Sequence, residues 1–127
     1  MALPDDDTLV LLHNPRCSKS RAAQALLAER GVAFVERRYL DDPPSRAELA
    51  SLRERLGRPA ADWVRTGESA FAAAGLGASS TEPEILDAMA AHPILIERPI
   101  LVRGARAVVG RPPENVLELL GEELPDA

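Results

Sequence analysis

The sequence of 127 residues holds one cysteine, Cys17, and few aromatic residues. A single cysteine cannot form an internal disulfide. Aromatic residues make up only 3% of a chain that is 46% hydrophobic, so the core must be built from Ala, Leu, Val and Ile. A free thiol suits a reducing compartment, and we therefore expect a cytoplasmic protein.

Long apolar runs and an excess of positive charge are also absent. No stretch approaches the roughly 20 apolar residues that a membrane span needs, and the acidic start of the chain differs from the basic start of a signal peptide. A formal net charge of -5 argues against a non-specific nucleic-acid binder. We expect neither a membrane nor a nucleic acid as partner. The length fits one domain over residues 1–127, with flexible tails at 1–7 and 121–127.

The residues around Cys17 predict a thiol at the start of a helix. Residues 8–12 are apolar and partly β-branched, which predicts a buried strand, and residues 22–30 are rich in Ala and Leu, which predicts a helix that ends at Gly31. Cys17 then lies at or just before the first helical turn. There, unpaired backbone N–H groups and the helix dipole favour an anion such as a thiolate.

Positive charge surrounds Cys17 in the sequence. Arg16, Lys19 and Arg21 are close neighbours, and His13 could donate a hydrogen bond or a charge from the other side. A cysteine with a pKa of about 8.5 is only about 3% thiolate at pH 7, whereas a pKa lowered by about two units makes it mostly thiolate. The alternative is a small buried hydrophobe, as free cysteines most often are. Because the neighbours are polar and charged, we favour a reactive cysteine.

The middle of the chain predicts a second strand and a helical insertion. Residues 32–40 read as a strand, which completes a strand-helix-strand unit with parallel strands and a right-handed crossover. Residues from about 45 to 91 form a mostly helical insert that begins after two prolines. Two capping boxes mark helix starts within it, Ser45 to Glu48 and Thr81 to Glu84, with helix ends near Leu56 and Ala91.

The last third of the chain predicts an antiparallel hairpin and a final helix. Residues 94–102 and 107–109 are apolar runs joined by a turn that contains glycine, and residues 115–120 form a helix closed by Gly121. Pro99 cannot donate to the ladder, so it marks a strand start or an edge, where a cis bond is possible. The order β-α-β, helical insertion, β-β-α predicts an α/β fold with a thioredoxin-like mixed sheet.

With these motifs placed, the chain resembles the glutaredoxin-dependent arsenate reductase family, the ArsC type, among the thioredoxin-like folds. The resemblance spans roughly residues 8–120 and rests on the order and spacing of several separated motifs. They are His-Asn-Pro-Arg-Cys at 13–17 with Ser20 and Arg21, Pro-Pro-Ser-Arg at 43–46, Arg65 after Trp63 and Val64, His-Pro-Ile-Leu-Ile at 92–96 with Arg98, Pro99 and Ile100, and Arg111 with Pro112.

The resemblance implies an active site. Cys17 would be the nucleophile that attacks arsenate or a similar oxyanion, and His13 would help to lower the pKa of the thiol. Pro99 would be the cis-proline that these folds place opposite the active-site cysteine. The residues that would hold the oxyanion are Arg65, Arg98 and Arg111.

The alternative for each of these arginines is a solvated surface charge. Arg98 and Arg111 each stand beside a proline at the edge of an apolar segment, where a constrained backbone can aim the side chain, so function is favoured there. Arg65 has the least support from its local sequence. Guanidinium groups suit a tetrahedral oxyanion because they are permanently charged and donate two parallel hydrogen bonds.

The number of thiols implies outside partners. Reduction of arsenate to arsenite takes two electrons, hence two thiols, and this chain supplies one. The second would come from glutathione as a co-substrate, with glutaredoxin resolving the mixed disulfide. The sequence shows no cluster with metal-ligand spacing, so we expect no metal and no bound cofactor.

A second class of function stays open. Spx-like transcription regulators share this fold, but their redox switch needs Cys-x-x-Cys, and the third residue after Cys17 is Ser20. This disfavours a disulfide switch and leaves a non-enzymatic regulator that binds RNA polymerase or another protein through the helical insert. Ser18 and Ser20 fit either ordinary polar positions of a helix start or contacts to an oxyanion. Lys19 has no assigned role.

Overall fold

The computed structural model describes residues 3–123 and consists of a four-stranded sheet with helices on both faces. The strands are β1 (Leu9–His13), β2 (Val35–Arg38), β3 (Ile100–Arg103) and β4 (Arg106–Val109). The α-helices are α1 (Ser18–Glu29), α2 (Arg46–Leu56), α3 (Ser69–Ala73) and α4 (Glu82–Ala91). Three 3₁₀ helices span Ala60–Asp62, Pro93–Leu95 and Pro113–Glu123.

The sheet is mixed, with the strand order β2-β1-β3-β4. Strand β1 runs parallel to β2, to which α1 connects it, and antiparallel to β3. Strands β3 and β4 form an antiparallel hairpin whose turn contains Gly104 at a φ of 56°, a left-handed conformation that glycine adopts readily. The structure confirms the predicted β-α-β unit, the helical insertion and the β-β-α end.

Two hydrophobic clusters cover the two faces of the sheet. Val10 and Leu12 of β1 point into one cluster with helices α2 and α4, while Leu9 and Leu11 point into the other with α1 and the last 3₁₀ helix. This alternation is the period of two that a strand imposes on its side chains. All five residues of β1 are buried, as expected for a central strand. Trp63 is fully buried in the first cluster.

Both predicted capping boxes are present. The Ser45 hydroxyl accepts a hydrogen bond from the Glu48 N–H at 3.0 Å, and the Glu48 carboxylate accepts one from the Ser45 N–H at 3.0 Å. The same exchange joins Thr81 and Glu84 at 3.3 and 2.7 Å. Each box satisfies two backbone donors that the first turn of a helix leaves unpaired.

Several predicted boundaries are wrong. Helix α1 begins at Ser18, directly after Cys17, as predicted, but β2 covers only Val35–Arg38 of the predicted strand 32–40. The predicted strand 94–102 is interrupted: Pro93–Leu95 form a 3₁₀ turn, and β3 begins only after Pro99, which has no N–H for the ladder.

The two chain ends also differ from the prediction. Leu3 is only 6% exposed and packs in the first cluster, so the prediction of a solvated tail over 1–7 is wrong at this residue. Arg55 holds this segment, because its Nη1 donates to the Pro4 carbonyl at 2.6 Å and to the Gly104 carbonyl at 2.8 Å. The last helix has 3₁₀ form and continues past Gly121 to Glu123. Residues 1, 2 and 124–127 of the predicted tails lie outside the described residues.

Candidate active site

Cys17 is the N-cap residue of α1, in the loop that joins β1 to this helix. Its backbone is extended, with φ of -99° and ψ of 123°. Its N–H donates to the Asn14 carbonyl at 3.0 Å, and its own carbonyl accepts from the Arg21 N–H at 3.0 Å as the first hydrogen bond of the helix. The side chain is partly exposed. The predicted position of the thiol at the helix start is therefore confirmed.

The pKa of the Cys17 thiol lies below its ordinary value. Partial burial raises this pKa, but donors around the sulfur outweigh the effect of burial. The backbone N–H groups of Ser20 and Lys19 at the helix start lower this pKa, and so does the positive charge of Arg98, although the Cys17 side chain accepts no capping hydrogen bond. The thiolate is thus stabilised by the helix start and by one guanidinium group from a distant part of the chain.

The charges next to Cys17 in the sequence play a smaller part than expected. Lys19 acts through its backbone N–H, and its side chain is exposed. The Arg21 guanidinium donates to the Pro15 carbonyl at 3.0 Å, and Arg16 is exposed. Arg98 supplies the charge at the thiol, which the local sequence alone could not indicate.

His13 is buried at the end of β1 and contacts Ser20. Its Nδ1 lies 2.7 Å from the Ser20 hydroxyl oxygen, which also accepts the Asn14 N–H at 3.0 Å. Burial lowers the pKa of His13 and the charges of Arg38 and Arg21 lower it further, against an opposing effect of Glu36.

The neutral imidazole is therefore favoured near pH 7, and of the two alternatives that the sequence left open for His13, a hydrogen bond or a charge, burial disfavours the charge. Within the described residues His13 makes no hydrogen bond to Cys17. Any influence on the thiol passes through Ser20, which is fully buried and links β1 to α1.

The peptide bond before Pro99 is cis, as the sequence analysis allowed. Pro99 is buried just before β3, and its carbonyl accepts the Gly110 N–H at 2.8 Å. The bond between Arg111 and Pro112 is also cis, which the sequence analysis did not predict.

The three predicted oxyanion-binding arginines come together through two carboxylates. Arg65 Nη1 lies 2.7 Å from Glu97 Oε1, and Arg65 Nε lies 3.2 Å from Glu68 Oε2. Arg111 Nη1 lies 3.6 Å from the same Glu97 oxygen and donates to the Arg98 carbonyl at 3.1 Å. Arg98 Nη1 lies 3.8 Å from Glu68 Oε2.

The two carboxylates were missed by the sequence analysis. An isolated bridge between Val64 and Ile96 places Arg65 beside Glu97: the Glu97 N–H donates to the Trp63 carbonyl at 3.0 Å. The spacing of three residues between Arg65 and Glu68 is the only signal in the sequence that could have indicated one of these pairs.

Polar atoms without partners gather near the thiol. Within the described residues, Arg98 Nε and Nη1 are buried and have no hydrogen-bond partner, and the same is true of the Tyr39 hydroxyl. Burial raises the pKa of Tyr39. Arg98, the Asn14 side chain and Arg65 lower this pKa, and Cys17 raises it, so the phenol interacts with the thiol and with two of the predicted arginines. Such donors are costly unless something accepts from them. Tyr39 was not predicted as a site residue.

These groups form a candidate site for an anion beside a nucleophile. A thiolate lies next to donors that suit the oxygens of a tetrahedral oxyanion. Across residues 3–123 there is no group of three or more His, Cys, Asp and Glu side chains that could hold a metal ion. None of the helices in the same residues has the length and apolar character needed to cross a membrane.

The chain matches a known protein family over most of its length. The ArsC family profile matches residues 12–119, a range that contains the Cys17 loop and all three arginines. The chain belongs to the ArsC family. A protein of Neisseria meningitidis serogroup A named arsenate reductase is 43% identical over 112 residues, which cover 87% of this chain and 96% of that protein. Another of that name, from Haemophilus influenzae, is 37% identical over 115 residues, covering 89% and 99%.

Solved structures of ArsC proteins share the same architecture. The structure of an arsenate reductase from Vibrio cholerae aligns with a TM-score of 0.85 at 41% identity, covering 91% of this chain and 99% of that one. The resemblance and the thioredoxin-like α/β fold expected from the sequence are both confirmed.

Proposed function

We propose that this ArsC protein is an arsenate reductase-type thiol oxidoreductase. In the first step the Cys17 thiolate attacks the arsenic of arsenate, a sulfur–arsenic bond forms, and one arsenate oxygen leaves as water after protonation. The observation that carries the proposal is a thiol whose pKa is lowered by the helix start and by Arg98, together with the buried Nε and Nη1 of this arginine, which make no hydrogen bond among the described residues. A guanidinium group suits an arsenate ion because it is permanently charged and its N–H groups donate to the arsenate oxygens.

The second step needs an outside thiol. Reduction of arsenic(V) to arsenic(III) takes two electrons, which two sulfur atoms supply as they join in a disulfide. Glutathione attacks Cys17 in the adduct, arsenite leaves, and a mixed disulfide between Cys17 and glutathione remains. Glutaredoxin then reduces this disulfide and restores the thiol. The reaction needs no bound cofactor, and the glutathione pool of the cytoplasm fits it.

The neighbouring residues act as support. Arg65 and Arg111 share the negative charge of the oxyanion with Arg98; this role is supported by the hydrogen bond from Arg111 to the Arg98 carbonyl and by Glu68, which pairs with both Arg65 and Arg98. Pro99 fixes the backbone that carries Arg98. His13 acts as a positioning residue, because it orients Ser20 at the junction between β1 and α1.

The test is an assay that couples arsenate reduction to NADPH oxidation through glutathione, glutathione reductase and glutaredoxin. We expect turnover that requires all components and is lost in Cys17→Ser. Ser18→Ala is the control, since Ser18 is an exposed neighbour in the first turn of the same helix. Absence of turnover in the wild-type protein, together with specific capture of RNA polymerase, would overturn the proposal in favour of the Spx-like regulator.

A further inference from the structure

One carboxylate oxygen lies where three donors of the predicted oxyanion site converge. Glu97 Oε1 accepts from Arg65 Nη1 at 2.7 Å and from the backbone N–H of Arg98 at 3.1 Å. Arg111 Nη1 lies 3.6 Å from the same oxygen. All three donors belong to the residues expected to bind the substrate. The carboxylate therefore occupies the position of an anion within the site.

The local charges are nearly balanced. Three guanidinium groups face the carboxylates of Glu68 and Glu97, which leaves about one positive charge, and the Cys17 thiolate offsets it. These guanidinium groups belong to Arg65, Arg98 and Arg111. Carboxylates and tetrahedral oxyanions use the same N–H groups of a guanidinium, so Glu97 and a bound oxyanion compete for Arg65 and Arg111.

The Glu97 side chain is exposed enough for an incoming ligand to displace it. Its side chain is 23% exposed, and the same holds for Arg65, so both reach the surface of the site. Arg98 is 14% exposed, and its Nε and Nη1 make no hydrogen bond within the described residues. Its Nη1 has only an ion pair of 3.8 Å with Glu68, so Arg98 is the donor that an anion can engage without displacing Glu97.

We propose that Glu97 is a specificity-determining residue, a built-in carboxylate that competes with the oxyanion for Arg65 and Arg111. An entering oxyanion first binds Arg98 next to the thiol. It binds Arg65 and Arg111 only by displacing the Glu97 carboxylate. The residue thereby weakens the binding of anions in general and most strongly that of anions with two charges. The inference rests on the proposed function for the identity of the substrate, but it concerns binding before any chemistry.

The test is Glu97→Gln, which removes the charge and keeps an oxygen that can accept the Arg98 N–H. Binding is measured as protection of Cys17 from iodoacetamide by arsenate and by inorganic phosphate, which requires no turnover. We expect both anions to protect the variant at about tenfold lower concentration, the effect of one partly screened charge. In the coupled assay the KM for arsenate should fall by a similar factor, with kcat little changed.

The matched control is Asp87→Asn. Asp87 accepts from Arg46 Nε at 2.6 Å on the helical insert, so this variant also converts a carboxylate paired with an arginine into an amide. It should leave anion protection unchanged, which excludes an effect of net charge alone.

Three outcomes would overturn the inference. Weaker or unchanged protection in Glu97→Gln would show that Glu97 only positions the arginines, and equal gains in both variants would show an unspecific charge effect. Protection by neither anion in either protein would show that the site does not bind oxyanions. If the wild-type protein fails to reduce arsenate while both anions protect the variant more strongly, the proposed function fails and the role of Glu97 stands.

Discussion

At the scale of single residues, the chemistry depends on which backbone and side-chain donors stabilise the Cys17 thiolate. The Cys17 thiol is partly buried, which alone would raise its pKa, yet backbone N–H groups of Ser20 and Lys19 and the Arg98 guanidinium lower it below the ordinary value. The neighbouring imidazole contributes no charge, because burial lowers the pKa of His13. The anion is therefore held by fixed donors rather than by a protonated base.

Ser20 is the residue whose removal should damage this arrangement most. Its hydroxyl contacts His13 Nδ1 and accepts the Asn14 N–H, and all three groups are buried. In Ser20→Ala both partners would stay buried without a hydrogen bond, which costs about 1 to 3 kcal/mol of the free energy of unfolding. Urea denaturation followed by circular dichroism measures this loss.

The control for this prediction is Ser18→Ala at the exposed start of the same helix, which should change the free energy of unfolding by less than about 0.5 kcal/mol. Equal stability of the Ser20 and Ser18 variants would show that the buried hydroxyl does not bind the two elements together.

The residues that the sequence could and could not predict differ in the range of their contacts. The position of Cys17 follows from a strand, a loop and a helix that are neighbours in the chain. The pairing of Glu97 with Arg65 depends on the bridge between Val64 and Ile96, and the burial of the Tyr39 hydroxyl depends on the packing of a whole face of the sheet. Neither contact leaves a local pattern in the sequence.

At the scale of elements, the segment before β3 is held by a close approach of two backbones. The Gly110 N–H donates to the Pro99 carbonyl at 2.8 Å, and a Cβ on Gly110 would lie 2.8 Å from Pro99 Cγ and 3.0 Å from Val116 Cγ1. Only glycine fits between the ring and the last helix. Since Arg98 directly precedes Pro99 and Arg111 directly follows Gly110, this contact fixes the backbone positions from which these two arginine side chains extend.

Gly110→Ala should therefore disturb both stability and the site. We expect a loss of about 1 to 3 kcal/mol in the free energy of unfolding from overpacking, together with reduced turnover at temperatures where the variant is still folded. Thermal denaturation and the coupled assay measure the two effects. Gly67→Ala is the control, because its Cβ would meet nothing within 4 Å. A Gly110 variant as stable and active as the control would contradict the contact.

Element boundaries show where sequence patterns are informative. The capping boxes at Ser45 and Thr81 could be predicted because a short side chain and a glutamate three residues later are enough to satisfy the first turn. The apolar run 94–102 misled the prediction, because periodicity does not separate a strand from a buried turn. His92 and Pro93 begin a 3₁₀ turn there, with the Leu95 N–H donating to the His92 carbonyl at 2.9 Å.

At the scale of the whole molecule, the sheet topology brings the site together. Strands β1 and β3 are antiparallel, with Leu12 opposite Ile100, so the end of β1 lies beside the start of β3. The Cys17 loop follows the first of these points, and Arg98 precedes the second. The insert then adds Arg65 through its bridge to the segment before β3. Three distant parts of the chain thus meet at one end of the two central strands, β1 and β3.

The pH dependence of Cys17 alkylation by iodoacetamide tests this account most directly, with the protein unfolded in urea as the reference. Because only the thiolate reacts, the rate should reach half its maximum at a pH clearly below that of the unfolded chain, whose thiol has an ordinary pKa of about 8.5. A Cys17 thiol that reacts in the folded protein with a midpoint equal to or above that of the unfolded chain would contradict a thiolate held by the helix start and Arg98.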